Sequence, residues 1–267
     1  MLPGMSETEL NGRPVRPEEL QALALTNYGH FTTLRVSGGR VRGLALHLER
    51  LRRDCRELFS AELDLARVRE YARRAVPAGG GEVMVRITVF DPALDLAGLA
   101  GKADPAVLVT TRPAGPSAAL PPLRVRTVTY VRDLPQVKAV GLFGALHHRR
   151  AAQLAGYDDA LFVTPDGAVG EGGTWNLGLV RGGELVWPEA PYLPGVTQEL
   201  LGGLLPGRRE VVTPGRLPDF EAAFAANAAM PLGLRPVTGI DAVRYPAGHP
   251  VLTALSAAYA ALEGEAL

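Results

Sequence analysis

The chain of 267 residues has little lysine, a single cysteine and only 6% aromatic residues. It also lacks a charge excess, with 28 Lys and Arg against 28 Asp and Glu. That balance argues against nucleic acid or an anionic membrane surface as a partner. One cysteine excludes an intramolecular disulfide. Cys55 falls in the series Leu48, Leu51, Cys55, Leu58, which is one face of a helix, and reads as a small core residue. No Cys/His cluster has the spacing of a zinc site, and the adjacent His147 and His148 do not share a helix face, so no metal is expected. No apolar run approaches a membrane span, and Met1 to Glu7 lacks a signal-peptide core; a soluble, cytoplasmic protein is expected. There is no glycine-rich dinucleotide or P-loop motif and no internal repeat. The scarcity of lysine carries information of its own. Only Lys102 and Lys138 occur, while arginine supplies nearly every other positive charge. Lysine is the basic side chain that can lose its proton and attack a carbonyl.

An apolar content of 47% is ample for a packed core, and the length suits one large domain or two ordinary ones. Phe31 to Val36 reads as a strand, with Arg40 to Leu44 as its return after Ser37-Gly38-Gly39. Helices are expected over Leu46 to Phe59 and Leu65 to Ala75. The alternation of Val83, Val85, Ile87 and Val89 predicts a strand from Glu82 to Phe90, and Ala106 to Thr111 is another. The proline-rich stretch that follows is a poor helix and a poor strand. It sets a domain of residues 1–112, a linker of 113–122 and a larger domain of 123–267. In the second half, strands are expected at Leu123 to Tyr130, Asp159 to Val163, Ala168 to Glu171, Asn176 to Val180 and Glu184 to Trp187. Helices are expected at Gly141 to Ala155, Thr197 to Leu205, Asp219 to Ala225 and Val251 to Glu263. The elements do not alternate regularly, so the fold class is α+β rather than a doubly wound sheet.

The stretch from Lys138 to Thr197 concentrates the chemistry. A lysine amine forms a Schiff base with an aldehyde. Pyridoxal phosphate needs such a lysine, a carboxylate facing its pyridine nitrogen and a phosphate cup. Glu171 ends a strand among Gly170, Gly172 and Gly173, where a ligand ring can approach the backbone. Gly195-Val196-Thr197 opens a helix, whose first N–H groups and dipole suit a phosphate; the plain alternative is an ordinary cap. Singly, none of these is specific. A lone lysine is ordinarily a surface residue, and a cluster such as Arg50, Arg52, Arg53 and Arg56 is ordinarily a solvated helix face with one member available to an anion.

The ordered set is more specific. After Lys138 come Gly156-Tyr-Asp-Asp-Ala-Leu161, Asp166-Gly167, Glu171-Gly-Gly-Thr-Trp-Asn176 and Pro194-Gly-Val-Thr-Gln198. Upstream lie Asn27-Tyr-Gly-His-Phe-Thr-Thr-Leu-Arg-Val36 and Leu46-His-Leu-Glu-Arg-Leu51. From about residue 9 to about residue 245 the chain resembles the class IV aminotransferases, the fold-type IV pyridoxal-phosphate enzymes. That group includes branched-chain and D-amino-acid aminotransferases and aminodeoxychorismate lyase. The resemblance implies a two-domain fold, with a small N-terminal α/β sandwich and a larger C-terminal pseudo-barrel. It implies a homodimer, with the active site between the domains and completed by a second subunit.

It also implies roles. Lys138 would carry pyridoxal 5'-phosphate as the lysine aldimine and shuttle the α-proton. Glu171 would pair with the pyridine nitrogen. Arg50 would bind the phosphate, with the backbone of Val196 and Thr197, the Thr197 hydroxyl and Asn227. Leu193 would pack on the ring, and Asn176 would support the site. The resemblance places the substrate's α-carboxylate near the turn of Asn227 to Ala229, with Ala228 a candidate contact; His30, Phe31, Trp175 and His147 are candidates for the substrate pocket, with a core or surface place as the equal alternative for each. The chain departs from the family at Phe143, where a tyrosine is frequent, and at Thr32, Gln198 and Asn227. The expected reaction moves an amino group between an amino acid and a 2-keto acid. Elimination of the aminodeoxychorismate-lyase type and a non-catalytic homologue are the alternatives.

Overall fold

Two hydrophobic periods, one of two residues and one of three to four, set the elements seen in a computed structural model. It describes residues 8–77, 81–115 and 117–267. Met1 to Glu7, read above for a signal-peptide core, and Pro116 of the expected linker lie outside the described residues. The chain begins with β1 (Glu9–Leu10), β2 (Arg13–Pro14), α1 (Gln21–Thr26), β3 (His30–Ser37), β4 (Arg40–Val41), α2 (Leu44–Phe59) and α3 (Leu65–Arg74). Next come β5 (Val83–Phe90), β6 (Ala106–Pro113), β7 (Leu123–Thr129), α4 (Phe143–Leu154), β8 (Asp159–Val163), β9 (Val169–Gly172) and β10 (Asn176–Arg181). The remainder is β11 (Glu184–Pro188), α5 (Val196–Leu204), β12 (Gly207–Glu210), β13 (Ala222–Ala226), β14 (Leu234–Ile240), β15 (Val243–Arg244), α6 (Pro250–Ala261) and β16 (Glu265–Ala266).

The elements form two units. The first comprises the described part of Met1–Gly115 with Val137–Gly141 and Glu263–Leu267. The last two segments come from the C-terminal half of the sequence. Its seven-stranded sheet has the order β16-β4-β3-β5-β6-β1-β2, and every pairing is antiparallel. One face carries Leu34, Val36, Val85, Ile87 and Val109 against Leu44, Leu51 and Cys55 of α2 and Val68 and Ala72 of α3. The Asp64 carboxylate caps α3 by accepting from the Ala66 and Arg67 N–H groups. Residues 137–141 run beside the N-terminal end of β3: Lys138 O accepts from Phe31 N at 2.9 Å, and Val140 N donates to Gly29 O at 2.9 Å.

The second unit comprises the described part of Pro116–Gln136 and Leu142–Leu262. Six strands close on themselves in the order β10-β13-β14-β7-β8-β9, with β9 pairing back to β10. Closure removes the unpaired edges of those strands. The pairs β7–β8 and β7–β14 are parallel and the other four are antiparallel. Val125, Leu161, Val169, Leu177, Leu179, Ala223 and Val237 share one core. A second cluster places Phe224, Trp187 and Leu201 with Leu252, Leu255 and Tyr259 of α6.

Most expected elements appear within a few residues of their predicted ends. Asp219 to Ala225, expected to be helical, is instead strand β13 preceded by a short 3-10 turn at Pro214–Asp219. Its alanines have high helix propensity, but both of its faces are covered, Ala223 and Ala225 on one and Ala222, Phe224 and Ala226 on the other. The returning strand expected over Arg40 to Leu44 stops at Val41, because Gly43 turns into the left-handed region at φ 68° and α2 starts at Leu44.

Candidate active site

In the first unit the site is built where β3 meets α2. Thr32 of β3 and His47, Arg50 and Asp54 of α2 are buried, and the three helix residues share a stripe by their spacing of three and four. Arg50 Nη2 donates to Thr32 Oγ1 at 2.6 Å. The Thr32 hydroxyl lies 2.7 Å from His47 Nδ1. A guanidinium only donates, so the hydroxyl accepts from Arg50, and the direction of its bond with Nδ1 follows the tautomer of the imidazole. Burial, then the nearby Arg50 and Lys138, hold the His47 imidazole neutral, well below its ordinary pKa. Arg50 itself is pushed down to about 10, chiefly by burial, and so stays cationic at neutral pH. Its Nε is buried and has no hydrogen-bond partner. A buried guanidinium nitrogen without an acceptor fits an incoming anion.

Lys138 is fixed through its backbone. Its N–H donates to Asp54 Oδ2 at 3.0 Å. Its Nζ lies 4.8 Å from the centroid of the Phe31 ring, whose face also carries Arg86 Cζ at 3.6 Å. Phe31 therefore meets two cations. His30 is fully buried, neither ring nitrogen has a partner, and burial with Arg50 and Arg53 holds its pKa down at about 3.

In the second unit the closure of β9 on β10 sets Glu171 opposite Asn176. Both are buried. Glu171 Oε2 accepts from Leu193 N at 3.3 Å, and Asn176 Nδ2 donates to Leu193 O at 2.8 Å. The two side chains thus clamp one backbone unit. Arg132 donates to Glu171 Oε1 through Nε at 2.9 Å and through Nη2, and Nη2 also reaches Pro135 O at 3.2 Å. Oε1 of Glu171 thus faces a guanidinium and Oε2 a backbone N–H. At the start of α5, Val196 and Thr197 are buried, and Thr197 Oγ1 has no hydrogen-bond partner.

The other predicted residues have more local duties. Asn227 Oδ1 accepts from Ala229 N at 3.0 Å and Met230 N at 3.1 Å, and its Nδ2 donates to Thr174 O at 3.1 Å. Its carboxamide thus shapes the turn, in which Ala228 is half-buried. Trp175 is a core residue whose Nε1 donates to Asp159 Oδ2 at 2.8 Å. It borders a cavity of about 440 Å³ within this unit, together with Arg149, Thr174, Asn227 and Ala229. Phe143, in the frequent tyrosine position, is exposed and stacks on the exposed His147 with centroids 6.0 Å apart.

Sequence reasoning missed Asp54, Arg132, Arg149 and Asp159. Asp54 carried a signal, since it stands four residues after Arg50 on one helix stripe. Arg132 carried none, because its partner is 39 residues away. Among the described residues no group of three or more His, Cys, Asp or Glu could hold a metal ion, and no helix is long and apolar enough to cross a membrane.

Comparison with known proteins adds the context of family and fold. No curated protein matches the chain. A branched-chain aminotransferase from Thermoproteus uzoniensis, solved with norvaline, superposes with a TM-score of 0.82 at 23% identity, covering 96% of this chain and 94% of that one. A branched-chain amino acid aminotransferase from Thermobaculum terrenum, in its M3 mutant form, gives 0.85 at 19% identity over 96% of this chain and 92% of that one. A hypothetical aminotransferase from Mycobacterium tuberculosis, in its PLP-bound form, gives 0.79 at 21% identity over 94% and 96% of the two chains. These are likenesses of fold, with the six-strand closure in common with the fold-type IV architecture. The family model described as amino-transferase class IV matches residues 29–240, most of the chain, and on that ground the chain belongs to the class IV aminotransferase family.

Proposed function

We propose that this aminotransferase uses pyridoxal 5'-phosphate held on Lys138 to move an amino group between an amino acid and a 2-keto acid. The observation that carries the cofactor reading is Thr197 Oγ1, a buried hydroxyl without a partner in the first turn of the nine-residue helix α5. A helix N-terminus with a spare donor suits a phosphate. The unpartnered Arg50 Nε is a second donor of the kind such a group takes up. The M. tuberculosis relative has also been solved with α-ketoglutarate and PMP bound, which supports this cofactor and substrate class here.

When bound, pyridoxal phosphate supplies an aldehyde for amine exchange and a ring that draws electrons from the substrate's α-carbon. The residues of this chain supply the rest. Lys138 Nζ would be the amine that holds the aldehyde and, when free, the base that takes and returns the α-proton. Glu171, which accepts from Arg132 and the Leu193 N–H, would face the ring nitrogen and favour a proton there. Thr197, the Val196 and Thr197 backbone and Arg50 would each offer donors to the phosphate, and Leu193 would pack on the ring. Asn176 acts through the Leu193 backbone it clamps.

The test is a panel of amino donors with 2-oxoglutarate as acceptor, run on protein reconstituted with the cofactor. Glutamate formed only when both donor and acceptor are present is the expected result. Product released without an acceptor would favour the lyase chemistry, and no product across the panel would reject the proposal.

A further inference from the structure

The box Gly172-Gly173-Thr174-Trp175, which leads from the end of β9 into β10, has a use beyond carrying Glu171 and Asn176 at its ends. Asp159, at the start of β8, is buried and takes four hydrogen bonds. Arg149 of α4 donates through Nε to Oδ1 at 2.9 Å and through Nη2 to Oδ2 at 2.7 Å. Trp175 Nε1 donates to Oδ2 at 2.8 Å, and the Ala160 N–H to Oδ1 at 2.8 Å. Arg149 Nη2 then donates to Thr174 Oγ1 at 2.7 Å. Thr174 O accepts from Asn227 Nδ2 at 3.1 Å, and Asn227 Oδ1 holds the N–H groups of Ala229 and Met230.

This path of polar contacts runs without a gap from the barrel strand β8 to the turn at Asn227. Gly173 lies against it: a Cβ there would meet Arg149 Nη2 at 3.2 Å, closer than usual. Beside it lies the cavity of about 440 Å³ bordered by Thr174, Asn227, Ala229 and Met230. Met230 anchors one end of the turn in the core, and the hydrogen bonds of Asn227 hold the side that borders the cavity.

We infer that Arg149 is a positioning residue. Anchored on Asp159, it fixes Thr174, and Thr174 fixes the Asn227–Met230 turn that receives the substrate's α-carboxylate. The inference rests on the proposed function for what the turn receives, but not for the brace itself. It also gives a use to the Thr174-Trp175 pair of the box.

Thr174→Val tests it, because valine keeps the shape and the Arg149–Asp159 pair while removing the hydroxyl. On cofactor-free protein, amide exchange at Ala229 and Met230 should be roughly tenfold faster. On reconstituted enzyme, the KM for the keto acid should rise about fivefold with kcat within about twofold and the visible absorption unchanged. Thr174→Ser, which keeps the hydroxyl, should match wild type in both readouts. A purely structural brace of the barrel would not raise KM selectively. Wild-type exchange and KM in Thr174→Val would overturn the inference, as would a fall in kcat with KM unchanged. If Thr174→Val does not fold, Arg149→Lys keeps the charge beside Asp159, loses the fork that reaches Thr174, and is read the same way. A wild-type protein with no turnover would reject the proposed function and the role of the turn with it, while the exchange rates alone would still decide the brace.

Discussion

His30 and His47 are neutral for one physical reason: both are buried in the first unit, near the Arg50 guanidinium. Protonation of either would place a second cation in a low-dielectric setting. For His30 the folded pKa is about 3, against 6.5 ordinarily. Between those values the unfolded chain binds a proton that the folded chain does not. The stability this neutral imidazole contributes is therefore complete above about pH 6.5 and is lost as the pH falls toward 3. Each pH unit in that window costs about 1.4 kcal/mol at most for one such group. The urea midpoint should fall on acidification from pH 7 to pH 4, and His30→Leu should flatten that fall. An unchanged slope in His30→Leu would show that the group carries no part of it. Lys138 stood out in the sequence through the scarcity of lysine, and Glu171 through its flanking glycines. The contacts of Thr32 with His47 and Arg50 were not legible, because hydrogen bonds between a strand and a helix leave no period in the sequence.

The N-terminus of α5 shows how an element is aimed. Gly195 precedes it with an ordinary φ of −84°, so backbone freedom is not the reason for glycine here. A Cβ at this position would lie 2.0 Å from Asn176 Oδ1. Gly195→Ala would push the Asn176 carboxamide away from Leu193 O, at a cost of about 1–3 kcal/mol. The expected outcome is a lower denaturation midpoint together with weaker retention of pyridoxal phosphate on dialysis; wild-type values for both would contradict this reading of the close approach. Helices α2 and α3 and strand β5 were readable from hydrophobic period alone. Strand β13 was not, because five apolar residues covered on both faces show no alternation and alanine biases the reading toward helix.

Across the whole chain, the order of motifs from Asn27 to Asn227 carried the family likeness, and the family match over residues 29–240 agrees with it. The pseudo-barrel that the resemblance implied is the closure of six strands, but how that closure is made was not legible. It depends on the register in which β9 meets β10, with Glu171 facing Asn176, and a register is set by packing rather than by composition. The transfer of Val137–Gly141 to the first unit also escaped the sequence, although it decides what holds Lys138: the Asp54 carboxylate and the backbone of β3.

The most direct measurement is the visible absorption and amino-transfer activity of wild type and Lys138→Ala, each incubated with pyridoxal phosphate. Wild type should gain a visible band that survives gel filtration and should transfer an amino group to 2-oxoglutarate, and Lys138→Ala should do neither. Turnover that persists in Lys138→Ala, or a wild type that acquires no band, would contradict the assignment of Lys138 as the cofactor-bearing residue.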